Sequence, residues 1–297
     1  MSATSVAEDH HRDRARLAKG ATADALERWR TVSPQRIAAS WMDALPGLFV
    51  VVMAAQLAAA RQAEPYTAEV LSQQGMDPKP TGLVAPEQLA GVASDGRPLL
   101  SLLAAPAPAA LAALSAGEGI DRALAAGLAV LDMIVRTQVA DAGRAADAVA
   151  AVSRREVTGY VRMTVGKTCA RCAILAGRWY RWSRGFRRHP RCDCVMVPSR
   201  ESYADDIRLD PTRLFEAGRI TGLSQRDQEA VRLGADLAQV VNANRGMYVM
   251  AGQRFTTEST TRSGSGPRVR LMPSQIIAAA DDRDEAVRLL RLHGYIR

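Results

Sequence analysis

Every cysteine in this 297-residue chain lies between Cys169 and Cys194, and the same window holds His189, the only histidine away from the two ends. The order is Cys169-x2-Cys172, sixteen residues, then His189-x2-Cys192-x-Cys194. Thiolate and imidazole are the ligands a structural zinc ion selects, and two close pairs can reach one tetrahedral centre. Five candidates compete for four positions. The expected set is Cys169, Cys172 and His189 with at least one of Cys192 and Cys194. The alternative is a pair of disulfides, or thiols without metal. A hydrolytic zinc would need an open coordination position and a nearby carboxylate. The only acid in the window is Asp193, between two candidate ligands, and no His-Glu-x-x-His occurs in the chain. The expected ion is therefore structural, and no catalytic residue is assigned.

Charge concentrates in the same place. Residues 167–200 carry nine basic side chains against one acid, and their net charge of +8 equals that of the whole chain. The rest of the protein is neutral, so any polyanion contact is expected to be local. Arg178, Arg181, Arg184, Arg187 and Arg188, interleaved with Trp179 and Trp182, are the candidates for nucleic-acid or partner contacts. The arginines suit phosphate, but they equally suit a protein interface or the charge of a thiolate-rich centre. The aromatics suit either a small core around a metal knuckle or stacking on bases.

The elements around this window read as mainly α, in an α+β arrangement. Residues 1–14 are polar, with no apolar signal core, and are expected to be disordered; a reducing compartment then favours metal-bound thiolates over disulfides. Residues 15–157 are expected to form a helical domain. Ser33-Pro34 marks a helix start. Residues 44–60 read as a buried helix rather than a membrane span, because Pro46, Gly47 and Gln56 interrupt a short run. Pro106 and Pro108 are expected to break the following apolar run. Leu124, Leu128, Leu131, Val135 and Val139 step by three and four, which predicts a long amphipathic helix over 119–152. Residues 158–200 form the Cys/His zinc-knuckle β insert, with strands expected over 177–182 and 194–197. A helical region follows over 201–297. It has a start at Asp210-Pro211 with a stop at Gly218, and a Ser224 cap before an Ala230, Leu233, Leu237, Val241 stripe. An irregular loop or hairpin over 255–270 and a last helix closed by Gly294 complete it.

The line Cys169-Ala-Arg-Cys172 through Gly177-Arg-Trp-Tyr, then His189-Pro190-Arg-Cys192-Asp-Cys194 and Val197-Pro198, resembles the signature of the phage Mu F-like head morphogenesis family. These are minor capsid, or minor head, proteins of tailed phages. The segment from Val241 through Tyr295 is similar to the actinobacteriophage version, and Asp193 stands where that family often has arginine. The resemblance implies a low-copy component of the virion head, present in the host cytoplasm during assembly and touching the portal protein, capsid or scaffold proteins, with packaged DNA as a further contact and no membrane. Some relatives are labelled capsid maturation proteases. The alternatives to a structural role are therefore such a protease or a nucleic-acid-binding zinc module.

Overall fold

The computed structural model of the chain describes residues 1–184, 194–207, 209–258 and 269–296. In chain order the helices and strands are α1 (Ala3–Arg30), α2 (Ile37–Arg61), α3 (Ala63–Gln73), α4 (Leu99–Leu103), α5 (Pro106–Ser115), α6 (Ile120–Val152), β1 (Gly159–Thr164), β2 (Thr168–Cys169), α7 (Ala170–Ala173), β3 (Trp179–Arg181) and β4 (Cys194–Ser199). They continue with α8 (Pro211–Glu216), β5 (Ile220–Thr221), α9 (Gln225–Arg232), α10 (Leu237–Ala243), β6 (Met247–Met250), β7 (Gln253–Thr256), β8 (Arg270–Leu271), α11 (Pro273–Ala279) and α12 (Arg283–Leu292). The fold is mainly α with a small β region. It divides into two compact units, Met1–Val165 with Arg178–Arg208 and Gly166–Gly177 with Leu209–Arg297. The insert expected over 158–200 is thus shared between two units. Its first cysteine pair belongs to the second unit and its two longer strands to the first.

The first unit is built on α1, α2 and α6. Leu131, Val135 and Val139 of the expected stripe are fully buried, while Leu124 and Leu128 pack at its edge. They meet Leu45, Leu48 and Val52 of α2 and Ala21, Ala25 and Trp29 of α1. Trp29 and Trp41 cross edge to face at 4.8 Å, and their indole N–H groups donate to the carbonyls of Leu124 and Leu103, both at 3.0 Å. Gly127 is required on α6, because a Cβ there would stand 2.3 Å from the Trp29 ring. By length and composition alone, the helical runs Ile37–Gln73 and Ile120–Val152 are each apolar enough to cross a membrane. In the fold they pack against one another.

Residues 1–14, expected to be disordered, instead begin α1. Ser2 accepts from the Ser5 N–H at 3.1 Å while the Ser5 hydroxyl accepts from the Ser2 N–H at 3.0 Å, a reciprocal cap. The buried positions 3, 6, 7, 10, 11, 14 and 18 keep helical spacing, but three of them are His10, His11 and Arg14. Their polarity conceals the period. His10 and Arg14 are buried against Asp147 of α6. The His10 Nε2 lies 3.0 Å and an Arg14 nitrogen 2.7 Å from its carboxylate. Tyr66 of α3 stacks on the His10 ring at 3.8 Å and donates its hydroxyl to the Met196 carbonyl of β4 at 2.6 Å. Burial pushes the Tyr66 phenol well above its ordinary range, and the Asp147 charge adds to the shift, so the hydroxyl keeps the proton it donates.

The apolar run is broken where expected: α4 ends at Leu103 and α5 starts at Pro106, with both prolines in its first turn, where a missing N–H costs nothing. The Ser33-Pro34 start is displaced to Ile37. The three-stranded antiparallel sheet runs β3-β1-β4, with β1 in the middle and Tyr160 opposite both Tyr180 and Pro198. Both β1 and β4 are buried along their whole length.

In the second unit, α8, α9, α10 and α12 are capped by Asp210, Ser224, Asp236 and Asp282. The single stripe expected from Ala230 to Val241 is two helices. Gly234 at φ 101 turns the chain between α9 and α10. Ala230, Val240, Met272, Ile276, Leu290 and Tyr295 form its core. Burial moves the Tyr295 phenol up to about 12, and its hydroxyl donates to the Leu271 carbonyl at 3.0 Å. Of the loop or irregular hairpin expected over 255–270, the two ends pair antiparallel, Phe255 opposite Leu271 and Thr256 opposite Arg270, as β7 and β8; residues 259–268 lie outside the described residues.

Burial alone would raise the Asp147 carboxyl, but the fields of His10 and Arg14 outweigh it and hold the group below its ordinary value. A carboxyl lower in the folded than in the unfolded chain stabilises fully above about pH 4 and loses that contribution as pH falls through the folded value. Asp147→Ala is expected to cost about 3 kcal/mol at neutral pH, because it leaves Arg14 buried without its partner. Urea melts of wild type and variant should converge below about pH 4. A gap that persists in acid would contradict this assignment.

Candidate metal centre and basic face

The Cys-x2-Cys turn is formed where β2 runs into the short α7. Cys169 sits at the helix start, and its Sγ accepts the Cys172 N–H at 3.4 Å. Sulfur accepting a backbone N–H is the arrangement a thiolate needs, so this pair fits a metal-binding turn. Cys169 is half-buried and Cys172 buried. The turn is anchored by parallel pairing of β2 with β5, Thr168 opposite Ile220 and Cys169 opposite Thr221. Behind it, Ala173 and Ala176 pack on Leu214.

Cys194 begins β4, opposite Thr164, and is fully buried. The Nε of Arg162, a side chain with 1% exposure, donates to its Sγ at 3.1 Å. A buried guanidinium against sulfur favours an electron-rich thiolate there. Arg162 escaped the reading of the sequence, since a lone arginine in Tyr-Val-Arg-Met reads as a surface residue. His189 and Cys192 lie outside the described residues, as do Arg187 and Arg188. Among the described residues no three His, Cys, Asp or Glu side chains converge on one point. The sequence thus supplies the donor set, and the fold shows the local conformation of three of its members.

The expected basic face is partly in view. Arg178, Arg181, Arg184 and Trp182 are exposed, and Trp179 is half-buried. Trp182 is 52% exposed and lines a small cleft with Tyr160 and Met196. The backbone beneath these side chains is fixed at several points. Arg162 N–H donates to the Arg178 carbonyl at 3.1 Å, Trp182 N–H to the Thr158 carbonyl at 3.1 Å, and the Tyr160 hydroxyl to the Arg184 carbonyl at 2.5 Å.

A mainly α protein carrying a small antiparallel sheet and a Cys-x2-Cys turn is therefore what the chain folds into. A family profile described as VG15 protein matches residues 1–217, a range that spans α1 through α8 and all five candidate donors. The chain belongs to the VG15 protein family, a viral (phage) family. No curated protein and no solved structure matches it.

Gly177, the glycine between the cysteine turn and β3, has φ 73, and a Cβ there would stand 2.3 Å from the Leu209 carbonyl oxygen. Gly177→Ala combines left-handed strain with a backbone clash and is expected to cost at least about 2 kcal/mol. Urea unfolding followed by fluorescence checks it, and an unchanged midpoint would contradict the close approach.

Proposed function

We propose that the protein is a minor capsid, or head morphogenesis, protein of a tailed phage or prophage. Its role is structural, in assembly at the portal or the capsid interior, so it resides in the virion head and in the host cytoplasm while heads are built. The observation that carries this reading is membership of a phage protein family across residues 1–217, the range that contains the Cys-x2-Cys and His-Pro-x-Cys-x-Cys pattern. The partners on this reading are the portal protein and the capsid or scaffold proteins.

Zinc is the structural ion on the same reading, held by Cys169 and Cys172 with donors from the His189-Pro-x-Cys192-x-Cys194 segment. The accepting sulfur of Cys169 supports it, as does the chemistry of the donor set. Bound zinc would fix a short segment whose own apolar residues are too few to hold it.

Two measurements test the two parts. Mass spectrometry of purified particles should find the chain at low copy number, and a phage lacking it should yield heads that are malformed or not infective. Normal, infective particles without the chain would overturn the assembly role. Metal analysis of purified protein should give about one zinc per chain, lost in Cys169→Ser and in Cys172→Ser. A metal-free wild type would overturn the zinc assignment and leave the assembly role standing.

A further inference from the structure

Arginines in the helical part of the first unit are almost all neutralised by neighbours. Of the thirteen that precede β1, eleven form an ion pair with an aspartate or glutamate. Arg178, Arg181 and Arg184 depart from that rule. All three are exposed, and among the described residues no carboxylate lies within ion-pair distance of any of them. They line one open hollow of about 930 Å³ together with Trp179 and Tyr180. The fourth arginine there, Arg200, is already held by Glu156 at 2.9 Å, and the one acid in the lining is Glu201.

Three exposed cations that share one hollow and pair with no carboxylate among the described residues repel one another. Among the described residues, the guanidinium set against a cysteine sulfur is that of the buried Arg162 and not one of these three. Their backbone, by contrast, is held rigidly. They stand on and just beyond β3, an edge strand of the sheet, and the turn after it is closed by the Arg184 N–H to the Arg181 carbonyl at 2.9 Å. All three line the same hollow, and aromatic residues stand between them in the chain. Guanidinium forks match phosphate oxygens, and ring faces beside them suit bases better than acidic side chains.

We propose that this hollow is a nucleic-acid site, in which Arg178, Arg181 and Arg184 hold consecutive backbone phosphates without reading sequence. The inference stands independently of zinc and of the assembly role, since it requires only the exposed cations and their fixed strand.

Fluorescence anisotropy of the full chain with labelled single- and double-stranded DNA, over a salt series, tests it. The triple variant Arg178→Ala, Arg181→Ala, Arg184→Ala is compared with Arg16→Ala, Arg30→Ala, Arg122→Ala, which removes the same charge from exposed helical sites. The hollow variant is expected to weaken binding at least about tenfold and to lower the slope of log affinity against log salt by about 2 to 3, as loss of three phosphate contacts requires. The control variant should bind as wild type does. The relative affinity of the two DNA forms identifies which one the hollow takes. No binding by wild type would overturn the proposal, as would equal weakening in the control, which would mean that bulk charge alone attracts DNA. Polyglutamate that competes as well as DNA at equal charge would reassign the hollow to acidic protein segments.

Discussion

A carboxylate with 2% of its side chain exposed costs several kcal/mol to desolvate unless cations and donors surround it. Asp147 meets that requirement with His10 and Arg14, both from the first half of α1. The rest of the first unit depends on this arrangement. It obliges the N-terminal segment to be helical and to lie along α6, which brings Ala18, Ala21, Ala25 and Trp29 into the core. It also places His10 under the Tyr66 ring, and Tyr66 reaches across to the Met196 carbonyl. Through β4 the constraint passes to β1, and through β1 to the edge strand β3 that carries the exposed arginines.

Charge in this chain therefore plays two opposite parts. In the helical bundle it is spent internally. Arg14 with Asp147 is a buried pair, the buried Arg154 meets the half-buried Glu64 at 2.8 Å, and many surface arginines meet an acid three or four residues away. Around β3 it is left facing solvent. The contrast separates a charge-neutralised scaffold from an exposed basic face within one unit. The candidate zinc ligands follow the same logic of anchoring. Cys169 and Cys172 are fixed by β2, α7 and β5, while Cys194 is fixed by its ladder with β1 and by the Arg162 guanidinium.

Much of this was legible in the residues. The stripe Leu124 to Val139 and the Gly119 start give α6 because an apolar repeat of three and four leaves little choice. The Asp-Pro, Ser and Gly signals give α8, α9 and the end of α12, and β3 and β4 fall where aromatic and β-branched residues cluster. Two of the hidden elements, α1 and β1, share one cause, a polar residue whose partner is distant in sequence. His10, His11 and Arg14 make α1 look like a solvated tail until Asp147, more than a hundred residues away, is seen opposite His10 and Arg14. Arg162 in the same way hides β1, a strand buried at every position. The division of the 158–200 insert between two units was hidden differently. It rests on the pairing of β2 with β5, a contact across about fifty residues that no local motif encodes. For the candidate site, the sequence named the candidate donors and Arg178, Arg181 and Arg184, while only the fold shows that these three share one hollow and that no carboxylate among the described residues pairs with them.

The central claim is that the polar N-terminus is part of the core, held there by Asp147. Hydrogen exchange of the full chain, read by mass spectrometry at neutral pH, tests it most directly. Amides of α1 from His10 through Trp29 should be protected to the same degree as those of α6 and should open together with them. Exchange of residues 1–14 at the rate of an unstructured chain, with α6 still protected, would contradict the account.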